Sequence, residues 1–214
     1  MTTLFSLDYS CTICGHTTKF YSIGSTTIFG YMDLDTRPAE LKRSTLVYDV
    51  QMCPKCHYAN YEISDLIVGV DHRLLTSDRL KSIISDDTIN DDIKKFIIAA
   101  TLYELTENYH DAAYLYLNTA WLYDDITDLE NSIKYRKLSI EMIKKYLTTN
   151  NDDHHMCCLL VDLLRRTNDY SQAITAANDL VNVVKDELLK NILNYQIELC
   201  IDKDNQCHSL GEIF

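Results

Sequence analysis

The tightest constraint in this sequence is a pair of Cys-x-x-Cys turns. The first is Cys11-Thr-Ile-Cys14-Gly15, and after 38 intervening residues comes Cys53-Pro54-Lys-Cys56-His57. Each turn sets two sulfurs on one side of a tight loop, and two such loops supply a tetrahedral ligand set. Cys11, Cys14, Cys53 and Cys56 are therefore expected to bind one structural Zn2+ ion. Gly15 suits a left-handed position after the first turn, and Pro54 presets φ inside the second. The competing readings are two redox-active pairs or buried free thiols, and no thioredoxin-like βαβ pattern surrounds either pair. A four-thiolate site has no open position for an activated water, so the expected role of the metal is to hold a fold. His16 and His57 adjoin the ligands and read as neighbours of the site or as exposed groups.

The segment that carries these turns differs from the rest of the chain. Of the five glycines, Gly15, Gly24 and Gly30 lie in residues 1–60. Thr17–Ile23 and Thr45–Met52 are rich in β-branched and aromatic residues, and Leu46, Tyr48, Val50 and Met52 alternate, so both are expected to be short strands. From Ile63 onward the period changes, and from Asn90 the chain has almost no Gly or Pro and reads as consecutive amphipathic helices. Helices are expected near 91–107, 109–124, 128–148, 153–167, 170–184 and 186–202, the first capped by Asn90 to Asp92. The short breaks between them imply antiparallel neighbours. The expected fold is α+β and mostly α: a small β-rich zinc ribbon over residues 1–62, a connecting segment over 63–90, and a degenerate TPR-like helical array over 91–214. In the connector, Asp65–Val70 and Ser77–Ile84 are candidates for short helices.

Spacing suggests interlocking helix pairs. Phe96, Ala99, Ala100, Tyr103, Ala112, Tyr116 and Ala120 fall near the TPR template, with Thr119 where Ala is usual, and Asn168-Asp-Tyr170-Ser-Gln-Ala173-Ile174 repeats the opening of a second helix. Ala112 and Ala173 are 61 residues apart. That is no multiple of the ~34-residue TPR period, hence a degenerate array.

Head and body together resemble a bacterial family of unknown function built from a paired-knuckle zinc head and TPR-like helices. The residues that carry the resemblance are Cys11-x-x-Cys14-Gly15, Asp33-Leu-Asp35-Thr-Arg37-Pro38, Cys53-Pro-Lys-Cys56-His-Tyr58-Ala59 and Leu160-Val-Asp-Leu-Leu-Arg165-Arg166 before Asn168-Asp-Tyr170. His57 stands where that family usually has Gly, which strains the second knuckle. The resemblance spans nearly the whole chain and brings no established activity.

Charge narrows the partner class. The net charge is −12, and five Lys/Arg and five Asp/Glu fall in residues 1–60, leaving fifteen against twenty-seven for the remainder. The acidic helical part repels phosphate backbones and favours basic or amphipathic partners. Ile97 and Glu104 stand where carboxylate-clamping TPR grooves need polar or basic groups, which argues against that ligand. The first residues lack the basic start and apolar run of a signal peptide, and no stretch approaches the ~20 apolar residues of a membrane span, so a cytoplasmic protein is expected. Eight cysteines in a reducing compartment then argue against a disulfide framework.

The leading expectation is a non-enzymatic scaffold or adaptor that binds an unidentified protein or peptide in a helical groove, of undetermined oligomeric state. One alternative is nucleic-acid binding through the nearly neutral zinc head. Another is a hydrolase using Asp33 and Asp35, two carboxylates near Arg37, Glu40 and Arg43; the plainer reading of that loop is a turn whose carboxylates pair with Arg37 and Arg43. His154, His155, Cys157 and Cys158 cluster at a helix start, but their spacing and apolar setting disfavour a second metal site. Cys200 and Cys207 read as core or tail positions. Of the crowded aromatic residues Tyr114, Tyr116, Trp121 and Tyr123, about half must face the core.

Overall fold

The computed structural model describes residues 1–214. Eight α-helices follow a small β-rich head, and with two short 3₁₀ helices included 52% of residues are helical, so the chain is mostly α with a minor β part. The head holds two antiparallel hairpins. β1 (Thr2–Ser10) pairs with β2 (Thr17–Thr26), and β3 (Gln51–Met52) pairs with β4 (Ala59–Asn60). Two short helices, α1 (His72–Leu75) and α2 (Asp78–Ile84), lead into the body. There α3 (Asp91–Leu105), α4 (Tyr109–Asp125), α5 (Leu129–Leu147), α6 (His154–Arg166), α7 (Tyr170–Val181) and α8 (Glu187–Ile201) each pack on the next, and α6 also touches α8. None of these helices is long and apolar enough to cross a membrane.

All six expected body helices are present, because the turns between them are set by local chemistry. Asn108, Asp128 and Asp169 each serve two helices at once. Their backbone N–H groups bond back to the carbonyls of Tyr103, Tyr123 and Leu164, at 2.9, 3.0 and 2.8 Å, closing the preceding helix. Their side chains accept from the N–H groups of Asp111, Asn131 and Gln172, capping the next one. The residue before each of them, Glu107, Thr127 or Asn168, sits at φ of 61°, 59° or 67°, the left-handed position usually given to glycine. Thr106 and Thr167 add hydroxyl bonds to carbonyls one turn back, on Leu102 and Leu163.

Burial follows the small-and-aromatic pattern of the sequence. Phe96, Ala99, Ala100, Ala112, Ala120 and Thr119 are fully buried, and Thr119 satisfies its hydroxyl on Leu115 O at 2.8 Å. Tyr116, Trp121 and Tyr123 are buried, Tyr114 half-buried. One apolar cluster runs from Cys11, Cys53 and Tyr58 through Ile63 and Val70 into the helices. Polar bonds reinforce that continuity: Tyr103 in α3 donates to Asn60 Oδ1 at 2.8 Å, and Lys95 to Val47 O at 2.6 Å.

Three segments depart from the sequence expectations. Thr45–Met52 is not one strand: Arg43–Tyr48 forms a 3₁₀ turn and only Gln51–Met52 is extended. Its buried residues are Thr45, Leu46, Val50 and Gln51, adjacent pairs that no alternating strand would bury together. The turn is fixed by the Thr45 hydroxyl on Lys42 O and the Lys42–Asp49 ion pair. Asp65–Val70 forms turns rather than a helix, whereas Asp78–Ile84 is helical. β1 was not anticipated, although Phe5, Leu7 and Tyr9 alternate along it.

The left-handed turns make a stability prediction. Thr127 is exposed and β-branched at φ 59°, where a Cβ costs roughly 1–2 kcal/mol. Thr127→Gly is expected to raise unfolding free energy by about 1 kcal/mol net of the glycine's unfolded-state entropy, and Asp128→Ala to lower it by about 1 kcal/mol, both read by urea denaturation.

Candidate metal centre

Each Cys-x-x-Cys turn is the tip of one hairpin. Ser10 pairs with Thr17 across the first, and Met52 with Ala59 across the second. The two tips repeat the same backbone geometry. Cys11 N–H donates to His16 O at 2.9 Å and Gly15 N–H to Cys11 O at 2.8 Å; Cys53 N–H donates to Tyr58 O at 2.8 Å and His57 N–H to Cys53 O at 2.9 Å. Gly15 at φ 68° and His57 at φ 60° occupy equivalent left-handed positions, so the expected strain at His57 is present. Tyr58 locks the second tip from behind, donating to Asp65 O at 2.6 Å and accepting from Ile67 N–H at 2.9 Å.

The four sulfurs converge. Cys11 and Cys56 lie 3.6 Å apart, as do Cys14 and Cys53, and the set spans 3.5–3.8 Å. A disulfide needs about 2.05 Å, so these cysteines are not bridged. A tetrahedron with metal–sulfur bonds of ~2.3 Å has edges of about 3.8 Å, which the observed spacing fits. Cys11 and Cys53 are buried, Cys14 and Cys56 half-buried. Burial pushes the Cys53 and Cys56 thiols up; at Cys14 burial is outweighed by hydrogen bonding, led by the backbone of His16, and the thiol is lowered. Four thiolates this close, two of them buried, would repel one another, and a soft divalent cation removes that repulsion. The donor set thus fits a thiophilic metal with all four positions filled by protein.

No other group of three or more His, Cys, Asp or Glu side chains converges in this way. His154, His155, Cys157 and Cys158 therefore do not assemble a second site; Cys158 is buried against the core, where burial raises its thiol to about 12. Cys200 is buried and Cys207 exposed.

The chain matches one family over residues 4–199, described as "Uncharacterized protein conserved in bacteria (DUF2225)". The chain belongs to this family. No curated protein and no solved structure matches it. The family resemblance seen in the sequence is thereby shown, and the paired turns that carried it lie inside the matched region of this DUF2225 chain.

The Asp33–Pro38 segment goes further than a surface turn. Asp33 pairs with Arg43 at 2.6 Å, as the plain reading expects. Arg37 instead reaches α4, where its guanidinium binds Asp125 at 2.7 Å, and only its backbone N–H meets Asp35, at 3.2 Å. Asp35 enters the helical body: Trp121 Nε1 donates to it at 2.8 Å, with Arg136 at 3.6 Å and Arg166 at 3.9 Å. Arg136 also pairs with Asp124, and the fully buried Arg165 binds Asp162 at 2.7 Å, Gln196 at 2.6 Å, and the carbonyls of Asp204 and Gln206. The tail then lies beside the loop, with Leu34 N–H on His208 O and Leu210 N–H on Met32 O. Burial, with Asp162 nearby, pushes the Asp35 carboxyl up. Sequence reasoning missed this insertion; the signal was an unusual concentration of Asp and Arg in one loop and in Leu160–Arg166.

In metal-loaded protein, His57→Gly is expected to add about 1 kcal/mol by relieving the left-handed strain, with Cys56→Ser losing the metal as the contrast, both read by thermal melting and metal content. Asp35→Ala removes the acceptor of Trp121 and a counter-charge of Arg136, at an expected cost of about 3–5 kcal/mol. Asp35→Asn keeps an acceptor and should cost clearly less in the same denaturation assay; equal losses would mean the charge, not the acceptor, matters.

Proposed function

We propose that this protein is an interaction scaffold whose head is closed by one zinc ion and whose helical body binds a protein or peptide partner. The observation that carries the reading is the closed set of four sulfurs. With every coordination position taken by protein, a zinc ion there would cross-link two hairpin tips and would have none left for substrate. Zinc is favoured because sulfur ligands at tetrahedral spacing match its preferences and it adds no redox chemistry. TPR-like helix pairing and the acidic excess of the body favour a basic or amphipathic partner. The face of α4 to α6 that receives Asp35 is already filled by the chain's own loop, so a partner belongs on another helical surface.

A second reading has its own observation. Beside the second knuckle lies an open cavity of about 490 Å³ bordered by Lys55, His57, His72 and Lys81 together with the sulfur-bearing Cys14 and Cys56, with no carboxylate on its lining. That setting suits the phosphates of a nucleic acid bound by the head.

One experiment separates the two. Purified, metal-loaded full-length protein is analysed for metal content, then used in native crosslinking capture from a bacterial lysate with and without nuclease treatment. The scaffold reading predicts one zinc per chain and a specific, nuclease-resistant protein. Nucleic acid retained at low salt and lost in Lys55→Glu/Lys81→Glu would favour the second reading, and metal-dependent turnover of a substrate would sink both.

A further inference from the structure

We propose that the outer edge of β1 is a self-association surface, on which β1 of a second copy of this chain pairs antiparallel about a two-fold axis. The β1–β2 ribbon is a two-stranded sheet with no third strand. Every second residue of β1 turns its N–H and C=O away from β2. On that side the backbone groups of residues 2–10 meet no partner elsewhere in the chain. A two-stranded ribbon is marginal by itself, and an open edge calls for another strand.

Natural edges are usually blunted by Lys, Pro, bulges or cover. β1 reads Thr-Thr-Leu-Phe-Ser-Leu-Asp-Tyr-Ser, with no Lys or Pro, and its register with β2 shifts only between Thr3 and Leu4. From Leu4 to Ser10 the strand is regular. Its large apolar side chains are also open to solvent: Leu4, Phe5 and Leu7 are 42%, 44% and 45% exposed. An extended strand gains both the backbone bonds and apolar cover.

Charge selects a second copy as that strand. Residues 1–32 contain only Asp8 and Lys19 as charged side chains, whereas the whole chain carries −12. The hairpin is thus a neutral surface on a strongly acidic molecule, where two copies meet with least repulsion. Antiparallel pairing about a two-fold is self-complementary. Alternate β1 residues point to the free edge, so facing residues share parity; in registers centred on Phe5 or on Ser6, Asp8 faces Thr2 or Leu4 of the other copy, and never itself. Leu4, Phe5 and Leu7 meanwhile lie near their counterparts, and a continuous four-stranded sheet results.

The test uses the full-length, metal-loaded chain in sedimentation equilibrium. Wild type is expected to show a concentration-dependent monomer–dimer equilibrium, and Phe5→Lys/Leu7→Lys to raise the dissociation constant at least about tenfold, with far-UV circular dichroism and metal content unchanged. Should that double variant misfold, Ser6→Lys at an exposed position carries the same expectation. Hydrogen exchange gives an independent readout, in which alternate β1 amides of wild type gain protection as concentration rises. A monomer at every concentration, a dimer indifferent to these substitutions, or β1 exchange independent of concentration would overturn the proposal.

Discussion

Four sulfurs within 3.5–3.8 Å of one another are the constraint on which the head depends. The β3–β4 hairpin has two residue pairs, far too few to hold a strand pair by ladder bonds alone. What fixes it is the knuckle at its tip, tied to the first knuckle through the sulfur cluster, and Tyr58 and Asn60 behind it. Tyr103 of α3 reaches Asn60 at 2.8 Å, so whatever orders the sulfurs also orders the surface on which the first body helix packs. The sulfur cluster and the packing of the body are linked through one tyrosine–asparagine contact and the apolar cluster around it.

The second point of attachment is of the opposite kind. Asp35, Arg136, Asp124, Arg166, Asp162 and Arg165 form a nearly buried set in which three carboxylates face three guanidiniums. Arg37 Nε, Arg136 Nε and Asp162 Oδ2 lack hydrogen-bond partners within the chain. Desolvating such a set costs as much as its ion pairs return, so it is a poor source of stability. What it does is tie the loop to the body through particular partners, Asp35 to Trp121 and Arg136, while Asp33 holds Arg43 within the loop. The buried Arg165 extends that restriction to the tail by holding the carbonyls of Asp204 and Gln206.

How much of this was legible in sequence follows from the range of the interactions. The body helices were readable because their periodicity and the short breaks between them are local; the caps that the structure puts at Asn108, Asp128 and Asp169 lie in those same breaks. The four clustered cysteines were readable because Cys-x-x-Cys is a local turn that brings two sulfurs to one side of a loop. Thr45–Met52 misled because alternation of Leu46, Tyr48, Val50 and Met52 is a prior for a strand, whereas Lys42, Thr45 and Asp49 close a turn that overrides it. The Asp35 insertion was invisible because its partners lie 86 and more residues away, and charge pairing carries no period that marks which Arg meets which Asp.

The same reasoning explains why the left-handed turns escape a search for glycine. Glu107, Thr127, Asn168 and Lys203 all sit at φ between 54° and 67°, each followed by an Asn or Asp whose backbone N–H closes the helix just ended. At Asn108, Asp128 and Asp169 the side chain then caps the next helix. A glycine at the left-handed position would relieve strain but widen the unfolded ensemble. What fixes the turn is the dual-purpose residue after it, whose two bonds outweigh the strain of roughly 1–2 kcal/mol before it. Helix direction in this chain is therefore set one residue later than glycine-based rules would look for it, and the tight three-residue turns keep consecutive helices antiparallel.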